Sequence, residues 1–280
     1  MNIQFSVKDS VIARYSVRNY SDQQIEAEKR QALEEFIGAL DNPFTRQVRF
    51  HYLDQTDTKR QQKLGTYGVI KGAKQYIGTT IKPEPLALEA LGYELETVML
   101  YLAHQGLGTC WLGGTFERAG FASAMKIGEN ELFPIVTPYG YSAAKKHMKE
   151  VMMRKMIKAD QRKNWQDLFY RNDFQTPLTP AQAADLEFPL EMVRLGPSAS
   201  NKQPWRILLT NTACQFYEYK EPGYSDRLPY DIQRIDMGIA ACHFDLAAKE
   251  QGIIGHFDID CRPDLTCPEN IEYVFSWVRD

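Results

Sequence analysis

The sequence lacks any apolar run long enough to cross a bilayer. A membrane-spanning helix needs about 18 or more consecutive apolar residues, and polar side chains interrupt every apolar stretch of this chain before that length. The stretch from Met1 to Ser10 is polar and has no apolar core of a secretory signal peptide. We therefore expect a cytoplasmic protein with no membrane partner.

Cysteine and histidine are both scarce, and neither is arranged for metal binding. The five cysteines are an odd number, are scattered along the chain and include no Cys-x-x-Cys pair. The five histidines share no metal-ligand spacing, and no Ser–His–Asp order suggests a hydrolase. The pattern argues against a disulfide framework and a zinc site, so we expect no metal.

Positive charge is not in excess either. The 280 residues carry 33 Lys and Arg against 36 Asp and Glu, a formal net charge of −3, with a pI near 6.0. No basic block is interleaved with aromatic residues, which argues against a nucleic-acid partner. No Gly-x-Gly-x-x-Gly follows the first expected strand, so a separate dinucleotide-binding domain is not indicated.

A short cationic segment is present near the start of the chain. Arg14, Ser16 and Arg18 alternate with Tyr15 and Val17. In an extended backbone the two guanidinium groups and the hydroxyl therefore point to one side. Charge-assisted donors with fork geometry suit a phosphate group. The alternative is an exposed polar segment that binds nothing.

A second segment, past the middle of the chain, consists mostly of small and polar residues. Residues 196–205 read Gly-Pro-Ser-Ala-Ser-Asn-Lys-Gln-Pro-Trp, a turn where the backbone can approach a flat ligand closely. We assign Trp205 to the core; without a ligand, the segment would be a tight proline turn anchored by that tryptophan. The candidate binding residues here are Pro197, Ser198, Ala199, Ser200, Asn201 and Gln203.

A third segment follows a long expected helix. Its residues are Trp111, Leu112, Gly113 and Gly114. The two glycines would allow the main chain to approach a ring without an intervening Cβ. The competing interpretation is an ordinary kink between a strand and a loop.

Hydrophobic periodicity and turn residues predict a mixture of helices and strands. Helices are expected at 23–40, 86–105, 119–125, 180–193 and 236–251. Strands are expected at 48–53, 73–77, 133–141, 205–210, 215–219 and 272–278. Thr179 would cap the fourth helix, with Pro180 in its first turn. The last helix is expected to be strongly amphipathic, and the polar stretch 142–175 to contain a linker.

The two halves of the chain are weakly similar to each other. Gly92 and Gly106 are 14 residues apart along a helix with an apolar stripe, and Gly238 and Gly252 have the same spacing. Two unrelated α+β units could share such spacing by chance, whereas an old gene duplication would explain it. We therefore predict two intertwined units, at 1–165 and 166–280.

Taken together, the three segments resemble those of the FMN-dependent nitroreductase superfamily. The shared patterns are Arg-x-Ser-x-Arg before the first helix, Pro-Ser-Ala-x-Asn-x-Gln-Pro-Trp before a strand, and Gly-Leu-Gly-Thr-Cys-Trp-Leu-Gly-Gly after a long helix. Residues 40–44 of the first half lack the Pro-Ser-Ala pattern, and residues 173–177 of the second half lack the arginine pattern. Because each half keeps what the other lacks, the chain resembles the single-chain, duplicated form of the family, the putative TM nitroreductases.

This resemblance implies an α+β fold in which two nitroreductase-like units are fused into an intramolecular pseudo-dimer. Most members of the family build each FMN site from two subunits. In this chain, the arginine segment of one unit and the Pro-Ser-Ala segment of the other would close around a single FMN, and the second site would be a decayed remnant. Because the fusion already supplies the usual interface, we expect a monomer.

The resemblance also implies roles for the candidate residues. Arg14 and Ser16 would hold the phosphate and ribityl end of FMN, and Arg18 would reach the pyrimidine edge of its ring. Backbone N–H groups of residues 111–114 would lie near the flavin atoms N5 and O4. The turn at residues 197–203 would pack against the ring and the ribityl chain from the opposite half.

A basic residue downstream of the Gly140–Tyr141 strand end would complete the phosphate clamp. We choose Arg154, which follows Gly140 by 14 residues, over its neighbour Lys155. A solvated basic helix explains the same region equally well.

The reaction implied by the resemblance is FMN-dependent oxidoreduction. Reduced nicotinamide, as NADH or NADPH, would deliver hydride to flavin N5 and leave, and a small-molecule electron acceptor would take its place in a ping-pong cycle. The acceptor would be a nitroaromatic, a quinone or an activated alkene, and no catalytic side chain is assigned. Two alternatives stay open: a flavin-binding or sensing protein without significant turnover, and a non-flavin interaction module that kept only the scaffold.

Overall fold

A computed structural model describes residues 5–56, 64–144, 151–152, 155–156, 158, 161–260 and 262–280. The chain divides into two units. The first comprises Met1–Asp41, Arg46–Ala87 and Glu94–Ala159, and the second comprises Asn42–Thr45, Leu88–Tyr93 and Asp160–Asp280. Two short stretches from the first half of the sequence therefore belong to the second unit.

The first unit combines four helices with a four-stranded sheet, within the described residues. The strands run in the order β1-β2-β4-β3, and all neighbours are antiparallel. The strands are β1 Val48–Asp54, β2 Gln75–Ile81, β3 Gly108–Thr109 and β4 Leu132–Gly140. The helices are α1 Val7–Ala13, α2 Ala27–Gly38, α3 Ala87–His104 and α4 Arg118–Met125. Residues 88–93 of α3 belong to the second unit.

Six strands form the sheet of the second unit, in the order β6-β5-β7-β8-β10-β9. β5 and β7 pair in parallel, and the other neighbours are antiparallel. The strands are β5 Phe169–Arg171, β6 Asp173–Pro177, β7 Trp205–Leu209, β8 Ala213–Tyr219, β9 Gly255–Asp258 and β10 Ile271–Arg279. The helices are α5 Pro180–Ala183, α6 Glu187–Leu195 and α7 Gln233–Glu250.

The core of the first unit anchors the segment that carries the candidate arginines. β2 is buried along its whole length, and the core cluster around it includes Val17 and Tyr20, which are 3% and 6% exposed. Gly108 lets Val17 come close, because a Cβ at that position would overlap the valine side chain. The apolar residues of the segment therefore fix the course of the backbone between the arginines.

In the second unit, α7 crosses residues 88–93 of α3 at two glycines. A Cβ on Gly238 would overlap the carbonyl oxygen of Glu89, and a Cβ on Gly92 would overlap the carbonyl oxygen of Ile235 and lie 3.1 Å from the Cα of Gly238. Gly92 and Gly238 are the two positions that lie 14 residues before the glycine closing each helix. The backbones of α3 and α7 thus pack directly on each other at Gly92 and Gly238, the two glycines that the repeated spacing predicts to be equivalent in the two halves.

The predicted α+β class is confirmed, and most predicted elements are present within a few residues of their expected limits. The prediction of one helix over 180–193 is wrong. α5 ends at Ala183, the next residue, Ala184, has a φ of 52°, and α6 begins at Glu187 after a 3-10 turn. Pro189 explains the break: in the first turn of α6 its missing N–H costs nothing, whereas in a longer helix its ring would clash with the carbonyl of Asp185. The Thr179 cap is confirmed by a capping box.

Three further features differ from the sequence-based expectation. α7 is wrongly predicted as strongly amphipathic, since every residue from Ile235 to Ala248 is buried. The polar stretch 142–175 includes strand β5 and most of β6, which are too short to give a periodic signal. α1 was also not predicted. In the described part of the chain, no helix has both the length and the apolar character that crossing a membrane requires.

Candidate functional site

Two of the three candidate segments lie together in the first unit. α1 ends at Ala13, and Arg14 continues in an extended conformation with φ −67° and ψ 126°. Ser16 then pairs with Thr109 in a parallel bridge, where the Val17 N–H donates to the Thr109 carbonyl at 2.8 Å. The predicted extended course of the arginine segment is confirmed, and its partner Thr109 lies two residues before Trp111.

The buried carboxylate of Glu96, on α3, links these two segments. Glu96 is 0% exposed. Its Oε2 accepts a hydrogen bond from Trp111 Nε1 at 2.9 Å, and its Oε1 lies 3.8 Å from Arg14 Nε. The Arg14 side chain, only 8% exposed, is held at α3 by this ion pair. Sequence reasoning missed Glu96, although a glutamate within a long, mostly apolar helix is a signal that could have found it.

Arg18 is a buried cation whose hydrogen-bonding capacity is largely unused. The residue is 7% exposed, and its Nη1 makes a long 3.4 Å hydrogen bond to the carbonyl of Ser16. Its Nε is buried and has no hydrogen-bond partner among the described residues. Buried donors are nearly always paired in native proteins, so the unpaired nitrogen singles out Arg18 as a candidate for contacting a ligand. A flavin, with acceptor atoms along its pyrimidine edge, would be such a ligand.

The loop at residues 111–114 has part of its backbone already paired. The Leu112 N–H donates to the Val136 carbonyl at 3.1 Å, and the Gly113 carbonyl accepts from Arg118 Nη2 at 2.9 Å. A Cβ on Gly114 would have no neighbour within 4 Å. The Leu112 N–H is therefore unavailable to a ligand, whereas the backbone groups of this loop that could still donate are the N–H groups of Trp111, Gly113 and Gly114.

The third candidate segment is a strained turn in the second unit. α6 ends at Leu195, directly before Gly196, and residues 199–201 form one 3-10 turn. Ser200, Asn201 and Gln203 have φ values of 50°, 57° and 48°, in the left-handed region that residues other than glycine seldom adopt. Strained backbone of this kind is concentrated at ligand sites, where the surroundings hold it in place.

Side-chain hydrogen bonds stabilise this turn. The Ser198 hydroxyl accepts from the Gln203 N–H at 2.8 Å, and Asn201 Nδ2 donates to the Gln161 carbonyl at 2.9 Å. Ser200 Oγ accepts from the Tyr224 hydroxyl at 2.8 Å. Trp205, which follows the turn, is 0% exposed, so its assignment to the core is confirmed. The turn is thus a defined structure, held by hydrogen bonds within it and to neighbouring residues.

Two cationic residues, Lys163 and Arg206, contact this turn, and sequence reasoning singled out neither of them. The Lys163 N–H donates to Gln203 Oε1 at 2.9 Å, and Arg206 Nη1 donates to the Gln203 carbonyl at 3.1 Å. Arg206 is 8% exposed and lies over the Tyr219 ring at 5.2 Å. Burial first, and then the charge of Arg206, lower the pKa of Lys163 to about 8. Within the described residues neither cation has an ion-pair partner within 4.0 Å.

Arg154, the basic residue expected to complete a phosphate clamp, lies outside the described residues. Its neighbour Lys155 is exposed. Of the fourteen predicted site residues, Arg14, Ser16, Arg18 and those at 111–114 belong to the first unit, and those at 197–203 belong to the second. That both groups serve one and the same flavin stays a prediction.

Comparison with known proteins identifies the family. The model of the family described as "Putative TM nitroreductase" matches residues 6–248. The chain belongs to this family, as the three segments suggested. No curated protein matches the sequence.

Solved structures give the same assignment of fold. A putative nitroreductase from Thermotoga maritima is 18% identical, and the match covers 100% of this chain and 96% of that chain with a TM-score of 0.60. The nitroreductase-like α+β fold is therefore confirmed.

Two other structures are similar to part of the chain. An FMN-dependent nitroreductase from Clostridium difficile is 19% identical with a TM-score of 0.40, covering 50% of this chain and 89% of that one. A nitroreductase with bound FMN from Bacteroides fragilis is also 19% identical with a TM-score of 0.40, covering 51% of this chain and 92% of that one.

Proposed function

We propose that the protein is an FMN-dependent oxidoreductase that uses reduced nicotinamide to reduce a small organic acceptor. The observation that carries the proposal is the buried Arg18, whose Nε has no partner in the described structure. It lies four residues from Arg14, which Glu96 joins to Trp111. Two buried guanidinium groups on one extended segment match the phosphate and the ring edge of a flavin nucleotide, and family membership supports the same ligand.

The first unit supplies the charged part of the proposed site. Arg14 and Ser16 bind the phosphate and the ribityl end, and Glu96 orients Arg14 for that contact. Arg18 places its positive charge at the pyrimidine edge, where it stabilises negative charge that develops there during reduction. The N–H groups of Gly113 and Gly114 approach the ring from the loop, because no side chain stands between them and a ligand.

The second unit supplies the small residues of the proposed site. Pro197, Ser198, Ala199 and Ser200 pack against the ring and the ribityl chain, and the side chain of Asn201 forms hydrogen bonds at their edge. The left-handed backbone at Ser200 turns the main chain sharply, so that flat surfaces can approach it. When bound, FMN supplies the two-electron chemistry between NADH or NADPH and a nitroaromatic, quinone or activated alkene in a ping-pong cycle.

Removing the Arg14 charge tests the proposal directly. Arg14→Met is expected to raise the dissociation constant for FMN about 30-fold, because a charge-assisted contact to phosphate contributes about 2 kcal/mol. FMN fluorescence quenching gives the constant. Arg227→Met, at an exposed arginine with no ion pair among the described residues, is the matched control and should leave the constant unchanged.

Turnover is tested on FMN-loaded protein without oxygen. Adding NADH or NADPH should bleach the visible absorption of the flavin, and a later addition of acceptor should restore it. Bleaching by dithionite alone would instead indicate a flavin-binding protein without turnover. Failure of the wild-type chain to bind FMN would refute the flavin assignment itself.

Stoichiometry and paired variants test whether the two segments hold one flavin. One FMN per chain is expected, and both Arg14→Met and Asn201→Ala should weaken that single binding event. A fraction of flavin that binds with wild-type affinity in either variant would show that the segments do not share a ligand.

Lys163 is our candidate, beside the undescribed Arg154, for a second contact to the phosphate. Its pKa of about 8 means that the side chain loses its proton just above neutral pH. We therefore expect FMN affinity to fall several-fold between pH 7 and pH 9.5, since the neutral amine no longer attracts the phosphate dianion. In Lys163→Met the affinity should be about tenfold lower at pH 7, and the decline with pH should disappear. An unchanged pH profile in the variant would exclude Lys163 from the site.

A further inference from the structure

Asp236 is a buried carboxyl group in the first turn of α7 that contacts the strained turn at residues 197–203. Its Oδ1 accepts a hydrogen bond from the Ala199 N–H at 2.9 Å. The residue is 3% exposed, and within the described residues its Oδ2 is buried without a hydrogen-bond partner. The sequence resemblance assigned no role to this residue.

The turn needs an external constraint to keep its conformation. A left-handed backbone costs an L-residue about 1–2 kcal/mol, and Ser200, Asn201 and Gln203 all adopt it. The Ser198–Gln203 hydrogen bond lies within the turn itself, and Tyr224, which contacts Ser200, lies in a loop. Asp236 differs from these partners, because it belongs to an 18-residue helix whose backbone is fixed by its own hydrogen bonds. Arg206, on strand β7, holds the far end of the turn at the Gln203 carbonyl, so in the described part of the chain Asp236 is the contact from a regular element to its first half.

Burial favours the protonated form of the Asp236 carboxyl group. Burial is the main cause that raises its pKa well above the ordinary value; the hydrogen bond from Ala199 opposes the rise, and the negative charges of Glu218 and Asp231 add to it. A neutral carboxyl has one oxygen that accepts and one that carries a proton. Asparagine reproduces the shape and the accepting oxygen, and alanine reproduces neither.

We propose that Asp236 is a positioning residue that holds the turn at residues 197–203 in its ligand-binding conformation through the Ala199 N–H. We call the hydrogen bond from the Ala199 N–H to Asp236 Oδ1 the tether, and this bond requires no ligand. Its consequence for flavin affinity rests on the proposed function.

Hydrogen exchange measures the tether without any flavin. In Asp236→Ala the amide of Ala199 and the turn around it should exchange at least tenfold faster than in the wild type, and in Asp236→Asn they should exchange within threefold of it. Asp236→Leu, which keeps the side-chain volume and lacks the acceptor, replaces the alanine variant if that variant does not fold. Equal exchange in the wild type and the acceptor-free variant would overturn the proposal.

Asp245→Ala is the matched control on the same helix. Asp245 is 5% exposed and accepts hydrogen bonds from Tyr93 and Lys249 rather than from the turn. Its loss should destabilise the fold while exchange at residues 197–203 and FMN affinity stay within threefold of the wild type. Comparable effects of Asp245→Ala and Asp236→Ala on the turn would mean that Asp236 has only a general structural role.

FMN titration at a temperature well below unfolding completes the test. The dissociation constant should rise about tenfold in Asp236→Ala and stay within threefold in Asp236→Asn. Faster exchange together with unchanged FMN affinity would overturn the ligand-binding part of the proposal. If Asp236→Ala exchanges faster but the wild type binds no FMN, the tether is supported and the proposed function is refuted.

Discussion

Gly238→Ala is expected to lower the free energy of unfolding by about 3 kcal/mol or more. The new Cβ would overlap the carbonyl oxygen of Glu89 and lie 2.8 Å from its carbonyl carbon. Both atoms belong to the backbone of α3, so no side-chain rotation can relieve the overlap and the two helices must move apart. Every residue of α7 from Ile235 to Ala248 is buried, which means that this movement would disturb packing along the whole helix.

Denaturant unfolding of two further glycine variants measures the effect. Gly92→Ala, on the other side of the same crossing, should be destabilising to a similar degree, because its Cβ would overlap the Ile235 carbonyl. Gly38→Ala is the control: no atom lies within 4 Å of its new Cβ, and alanine favours helix over glycine by about 1 kcal/mol. A Gly238→Ala protein as stable as the wild type would show that the helices do not cross so closely.

Glu218→Gln is expected to reduce the loss of stability that the wild type shows between about pH 4.5 and pH 8, to which Asp236 contributes as well through its raised pKa. Glu218 is 0% exposed, and burial raises its pKa to about 8 despite Arg234 Nε lying 2.8 Å from its Oε2. One guanidinium group has to serve Glu89 and Glu272 as well as Glu218, so it cannot offset the full cost of burying this charge.

The sign of the effect follows from proton linkage. Because the folded state keeps the Glu218 proton to a higher pH than the unfolded chain, the free energy of unfolding falls as the pH rises from about 4.5 to about 8. The shift corresponds to about 3–5 kcal/mol. Glutamine has no proton to lose, so the unfolding free energy of the variant should decline much less over this range, and the two proteins should be similar near pH 5.

Glu272→Gln is the matched control for the same guanidinium group. Its carboxylate is half-exposed, and hydrogen bonding to Lys220 and the charge of Arg234 lower its pKa against the effect of burial. The ionised Glu272 carboxylate contributes stability at pH values above its unfolded pKa. This contribution is lost as the pH falls. Removing the Glu272 carboxylate should therefore leave in place the fall in stability between about pH 4.5 and pH 8. Parallel pH profiles of Glu218→Gln and the wild type would contradict the assignment of the decline to Glu218.

The candidate segments that sequence reasoning singled out are those encoded by local spacing. Arg14, Ser16 and Arg18 alternate on an extended segment, and the small residues at 197–201 stand directly before a strand, so each could be recognised within ten residues of sequence. Helix limits were also close wherever a glycine closed the helix, as at Gly106 and Gly252, whose φ values are 75° and 71°.

The residues that sequence reasoning missed act over long separations. Glu96 is 82 residues from Arg14, and Asp236 is 37 residues from Ala199. A buried carboxylate in an apolar helix signals that some partner exists, but its identity depends on how the helix is packed. The position of Lys163 also depends on distant packing, since its backbone N–H donates to Gln203 Oε1, forty residues away.

The amino-acid sequence by itself determined the family and the nitroreductase-like α+β fold of two fused units, because glycine spacing and short motifs are properties of neighbouring residues. Only the tertiary structure decided which donors are already satisfied. The Leu112 N–H is paired, whereas Arg18 Nε has no partner among the residues that the structure describes, and that difference arises from contacts with distant strands and helices. The directions of the pKa shifts were decided there too, since the raised pKa of Asp236 and the lowered pKa of Lys163 both follow first from burial.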